Sequence, residues 1–123
     1  LPSNRGLENL RWATLNRIPQ GLTAHLISEE IDMGLKLSEK IVSVFQSDTC
    51  DNVVTRIFGE QMDLLSIVLS KFDSMFDSAH AIGWAPYNQR FSPQLERRFE
   101  ENWRSYCRDY KAIVERFETN GDA

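Results

Sequence analysis

The chain has only two cysteines, Cys50 and Cys107, in 123 residues, too few for the disulfide framework that holds many small secreted domains together. Four prolines and six glycines exclude collagen-like and low-complexity architectures. No stretch approaches the roughly 20 consecutive apolar residues of a membrane span. Positive charge is not in excess either. Lys and Arg number 14 against 18 Asp and Glu, a net charge of -4, so the chain as a whole repels nucleic acid and anionic lipid. Glycine-rich phosphate loops, a Gly-x-Ser-x-Gly turn and a papain-like cysteine context are missing, which removes the common signatures of nucleotide binding and nucleophilic catalysis. What remains is the composition of an ordinary soluble globular protein with enough chain for one core. Its first residue is Leu1, with no signal-like segment after it, which points to something upstream: a processed leader, a tag or a neighbouring domain.

Punctuation divides the sequence into four segments. The first, about Arg5 to Arg17, has Asn4 or Ser3 as a cap, Leu7, Leu10 and Leu15 as an apolar side, and Pro19 with Gly21 as its end. In the second, Leu22 to Gln46, the residues Leu22, Leu26, Met33, Leu37, Ile41 and Val44 recur mostly at three- and four-residue steps, and Ile27, Ile31, Leu35, Val42 and Phe45 widen the stripe. A third helix follows the capping side chains of Ser47, Asp48 and Thr49 and runs to Ile82, where Gly83 and Pro86 stop it. Its middle is apolar nearly all round, which predicts the central, most buried helix, with Gly59 as the place for a kink. The fourth begins at Ser92-Pro93 and ends at Asn120-Gly121. Its seam of Leu95, Phe99, Trp103, Tyr106, Tyr110, Ile113 and Phe117 is spaced at three and four residues.

Strand signals are nearly absent. The expectation is therefore an all-α single domain over residues 1–123, with more than half the residues helical and essentially none in strands. A short N-terminal helix and linker (1–21) would precede an up-and-down bundle of three long helices (22–119), resembling a four-helix bundle. Tyr hydroxyls at two seam positions suggest that part of the seam reaches an edge.

Few residues carry chemistry. In an antiparallel bundle Cys50 lies about 25 Å further along the axis than Cys107, which predicts free thiols and weakly favours a reducing, cytoplasmic compartment. His25, Glu29 and Asp73 could meet around a metal, but paired Glu-x-x-His motifs are lacking, so neither a metal nor another cofactor is expected. Helix four has a basic line at Arg97, Arg104, Arg108 and Lys111, interrupted by Glu101 and Glu115. Antiparallel counting sets Asp77 opposite Arg97 and Asp63 opposite Lys111, so ion pairing between helices accounts for the line better than nucleic acid does. The connection 83–91 is unusual for its three rings, Trp84, Tyr87 and Phe91, beside Arg90. Such a group could form a lid over the end of the bundle or a contact surface.

With abundant packing residues and no catalytic constellation, the sequence favours a non-enzymatic helical module for protein–protein interaction, regulatory, adaptor or assembly in role, that self-associates as a homodimer. The candidate contact residues are Trp84, Tyr87, Arg90, Phe91, Arg97, Arg104 and Arg108. A secreted helical ligand or effector with its leader removed, and a helical bundle binding a small molecule or metal, are the alternatives. The charge balance also yields a test. Nucleic-acid binding should be weak and salt-sensitive or undetectable, and submicromolar affinity at physiological salt in a filter-binding or polarisation assay would make the basic line the functional site.

Overall fold

The computed structural model describes residues 1–6, 8–29 and 34–120. Leu7, Ile31, Met33 and Gly121, counted above in helical patterns, lie outside the described residues. In chain order the elements are α1 (Asn9–Asn16), β1 (Gly21–Leu26), β2 (Leu35–Ile41), α2 (Cys50–Ser70), α3 (Phe72–Asp77), β3 (His80–Ala81), α4 (Pro93–Arg108) and α5 (Tyr110–Thr119). The all-α bundle is thereby overturned. Among the described residues the chain is mixed, 53% helical with 15% in a three-stranded antiparallel sheet ordered β1-β2-β3.

The correction falls on 22–46. Leu35 with Leu37, and Val42 with Val44, also fit the two-residue period of a strand, and an apolar-rich segment can satisfy both periods at once. Gly34 decides between them. Its φ of +105° is foreign to a helix, and a Cβ there would collide with the Leu26 carbonyl oxygen. The strands pair from Leu26↔Leu35 to Gly21↔Ile41, with one irregularity between Ala24 and His25. The two-residue β3 joins β2 through Leu35↔Ala81 and Lys36↔His80.

Helix boundaries shift elsewhere. Neither Ser3 nor Asn4 caps α1, whose N-cap Glu8 is left-handed and makes no side-chain capping bond. The predicted helix to Ile82 stops at Ser70, because Lys71 leaves the helical region at φ -124° and ψ 26°. Gly59 does not interrupt it. In contrast, α4 starts as read: Ser92 Oγ accepts from the Leu95 amide at 3.3 Å and Pro93 occupies the first turn. The single long fourth helix is divided at Asp109 into α4 and α5.

The core lies where the α4–α5 seam meets the chain on either side of the hairpin. Tyr106, Cys107, Tyr110 and Ile113 are buried with Val44 and Val53, and Leu10, Ile57, Trp103 and Val114 close around them. The two tyrosines are interior and fully engaged, not at an edge. Tyr110 Oη accepts from the Gln20 amide at 3.0 Å and donates to the Val42 carbonyl. Tyr106 Oη donates to the Ile18 carbonyl at 2.6 Å and accepts from Gln20 Nε2 at 3.3 Å. Burial pushes Tyr106 far up, Tyr110 up to about 12 and the Cys107 thiol up to about 11.

Both thiols are free. The large separation inferred for them falls with the bundle, since Cys50 is close enough to add to the upward shift of Cys107. The antiparallel ion pairs fall too: Arg11–Glu96 at 2.7 Å and Arg17–Asp109 at 2.9 Å take the place of the expected Asp77–Arg97 and Asp63–Lys111. Within the described residues no helix is long and apolar enough to cross a membrane.

Gly34 supplies a measurement. Gly34→Ala should destabilise the fold by more than about 1 kcal/mol, through the left-handed backbone and the clash with Leu26. A urea midpoint unchanged from the parent protein would remove the hairpin turn from the structural account.

Candidate interaction surface

The start of α2 is fixed by short-range bonds that the sequence encodes. Thr49 Oγ1 accepts from the Asn52 amide at 3.1 Å and Asn52 Oδ1 accepts from the Thr49 amide at 3.0 Å, a reciprocal cap. Beside it, Asp48 receives a two-pronged bond from Arg56, at 2.7 and 3.0 Å, and one from the Phe45 amide at 2.8 Å. Arg56 thereby holds the Asp48 carboxyl below the usual carboxylate range. The Asp48 carbonyl also accepts from Trp103 Nε1 at 3.0 Å, so the same residue locks α2 to α4.

From this anchor α2 runs along the hairpin and buries only one edge. Val53, Leu64 and Val68 are buried, Ile57 and Glu60 half-buried, and Lys40 approaches Glu60 at 3.7 Å. The expectation of a central, most buried helix is therefore wrong. Another edge carries Val54, Phe58, Met62, Leu65 and Leu69 at steps of 4, 4, 3 and 4, all exposed, with Phe58 at 66%, Met62 at 64% and Leu69 at 71%. Phe72 and Phe76 of α3 extend the same steps and stack on each other at 5.9 Å. At 100° per residue the five α2 side chains fall within one narrow sector of the helix, while Arg56, Glu60 and Asp63 fall outside it. Arg56 and Glu60 are turned towards Asp48 and Lys40.

Large apolar side chains offer roughly 150–250 Å² each when fully exposed, so the five α2 residues together with Phe72 and Phe76, which are 39–71% exposed, present on the order of 700 Å² of apolar surface. That exceeds the largest apolar patch of a typical monomer.

The residues singled out from the sequence are dispersed. Trp84 is 76% exposed. Tyr87 lies under the Arg5 guanidinium, 4.3 Å from its ring centre, and its hydroxyl accepts from Arg5 at 3.1 Å. Phe91 turns inward, edge-to-face with Trp12 at 5.1 Å, and Arg90 is exposed. The 83–91 connection is bound down by the N-terminal segment: Arg5 donates to the Ala85 carbonyl, Trp12 to the Gln89 carbonyl, and Glu8 accepts from the Phe91 amide. Arg97 and Arg104 are exposed on α4, whereas Arg108 bonds the neighbouring Asp109. Among the described residues no group of three or more His, Cys, Asp and Glu could hold a metal, and His25, Glu29 and Asp73 do not come together as such a group. The α2 face was present in the sequence as apolar positions but was assigned to the core. Its exposure could not be read before the second segment was known to be a hairpin.

No family model, curated protein or solved structure matches this chain.

The Asp48–Arg56 pair can be tested against pH. The folded-state pKa of Asp48 is depressed, so its contribution is complete above about pH 4 and is lost as pH falls through the lower folded value. Asp48→Asn should cost about 2 kcal/mol at pH 7, and the gap in urea stability between variant and parent should narrow below about pH 4. A constant gap down to pH 2 would show that the ion pair is not its origin.

Proposed function

We propose that this protein is a protein–protein interaction module that self-associates through the exposed apolar face of α2 and α3, the occupant of that face being a second copy of the chain. The observation that carries this reading is the row Val54, Phe58, Met62, Leu65 and Leu69, regularly spaced and open to solvent. An exposed apolar patch of this size marks an interface more often than not. Two further points favour a second copy. The patch, on the order of 700 Å², is close to the roughly 800 Å² that each partner contributes to a stable interface. Between Val54 and Leu69 the face carries no charge, so two copies meeting over that stretch oppose no like charges there. A two-fold pair is the commonest closed arrangement for such self-complementary surfaces. Trp84, the most exposed ring of the 83–91 connection, and its neighbour Tyr87 are the residues we assign to the margin of the contact.

Sedimentation equilibrium at about 10–100 µM should give a dimer. Phe58→Ser combined with Leu69→Ser should give a monomer with an unchanged far-ultraviolet dichroism spectrum, because neither side chain supports the core. A parent protein that remains strictly monomeric across this range overturns self-association, and binding of an unrelated protein to the same face would replace it with a heterologous partner.

A further inference from the structure

The exposed apolar row of α2 and α3 reads almost the same from either end, and Leu65 is its middle. Val54, Phe58 and Met62 lie 11, 7 and 3 residues before Leu65, and Leu69, Phe72 and Phe76 lie 4, 7 and 11 residues after it. Helical bonding continues on both sides of the interruption at Lys71. The Lys71 amide donates to the Ile67 carbonyl at 3.0 Å and the Met75 amide to the Lys71 carbonyl at 3.1 Å.

A row with this symmetry matches itself when a second copy runs in the opposite direction. With a two-fold axis at Leu65, Val54 stands level with Phe76 of the other copy, Phe58 with Phe72, and Met62 with Leu69 to within one residue. An axis at Met62 would instead set Phe72 and Phe76 level with Asn52 and Asp48 and leave both rings uncovered. The charges beside the row set the direction. Asp51 lies one turn before Val54 in the same sector of α2, and Lys71, Asp73 and Asp77 adjoin the rings of α3, all four exposed. Copies running the same way in register would bring each of these beside its own duplicate, like charge against like. Running oppositely about Leu65, the four stand level with Ala79, Gly59, Ile57 and Val53, none of them charged, and the nearest like pair, Asp51 and Asp77, is two residues out of step. The two α2 dipoles then also lie with the positive end of one beside the negative end of the other.

We propose that the second copy lies antiparallel, meeting the first about Leu65, so that the two rows cover each other from Val54 to Phe76 and the assembly closes at two chains. This arrangement rests on self-association through that face.

Thiols introduced at Phe58 and Phe72 separate the arrangements. Neither ring is buried, so each variant should keep the parent dichroism spectrum. Phe58→Cys and an affinity-tagged Phe72→Cys are mixed in a glutathione redox buffer and resolved on a non-reducing gel. Packed helices about 8–10 Å apart bring facing residues within reach of a disulfide. The mixed disulfide should form about tenfold or more faster than either chain links to itself, because only facing thiols share the high effective concentration of the pair. The parent protein, with its native thiols Cys50 and Cys107, gives the baseline. Met62→Cys with Leu69→Cys repeats the comparison at the inner positions, and decides it should either phenylalanine variant fail to fold. Self-linked products that form as fast as the mixed one overturn the antiparallel arrangement. So does a parent that sediments as a dimer while neither pair links above the baseline. A parent that is monomeric overturns self-association itself, and the arrangement with it.

Discussion

The hydroxyl of Tyr110 joins three parts of the chain that are far apart in sequence. It accepts from the Gln20 amide just before β1 and donates to the Val42 carbonyl just after β2. The open end of the hairpin is therefore fixed to the first residue of α5 through one oxygen. Tyr106, four residues earlier, repeats the arrangement with Ile18 and the Gln20 side chain. The Gln20 amide and the Val42 carbonyl, which belong to buried residues, would otherwise lack this partner, at a cost of about 1–3 kcal/mol each. The position of the sheet relative to α4 and α5, and with it everything the sheet supports, depends on this pair of phenols.

Once the hairpin is fixed there, the exposure of α2 follows. A helix of 21 residues lies along two short strands and makes contact over one edge. Nothing in the rest of the described chain covers the opposite side. In a three-helix bundle those residues would have faced a second long helix, but the segment that should have supplied it is extended. The apolar content that looks like excess in the sequence is thus the direct result of a sheet standing where a helix was expected.

What could be read in advance divides along the range of the interactions. Local signals were legible: the capping group around Thr49, the Ser92-Pro93 start and the aromatic seam of α4 and α5 all depend on residues within a few positions of one another. The hairpin was not legible from periodicity, because residues such as Leu35, Leu37, Val42 and Val44 fit both helical and extended spacing. The one local clue against a helix was Gly34, a residue that costs about 1 kcal/mol in a helix interior and that tolerates positive φ. Burial was the least legible property. Val53 and Val54 are adjacent and chemically identical, yet one is wholly buried and the other 42% exposed, a difference set by tertiary contacts. The exposed α2 face is a product of that long-range arrangement.

The same bonds have a kinetic side. Tyr110 reaches back 68 residues to Val42 and 90 to Gln20, and Arg5 spans 80 residues to Ala85. Loops of this length must close before the phenols and the N-terminal segment contribute anything, and contacts so distant in sequence slow the search for the native arrangement. Helix α2 needs none of them to begin, since its cap is local and helices form within about a microsecond. A chain with α2 made and its core still open already displays Phe58, Met62 and Leu69. Protein concentration therefore acts on the route to the fold as well as on the finished molecule, and dilution during refolding favours the single chain completing its distant contacts first.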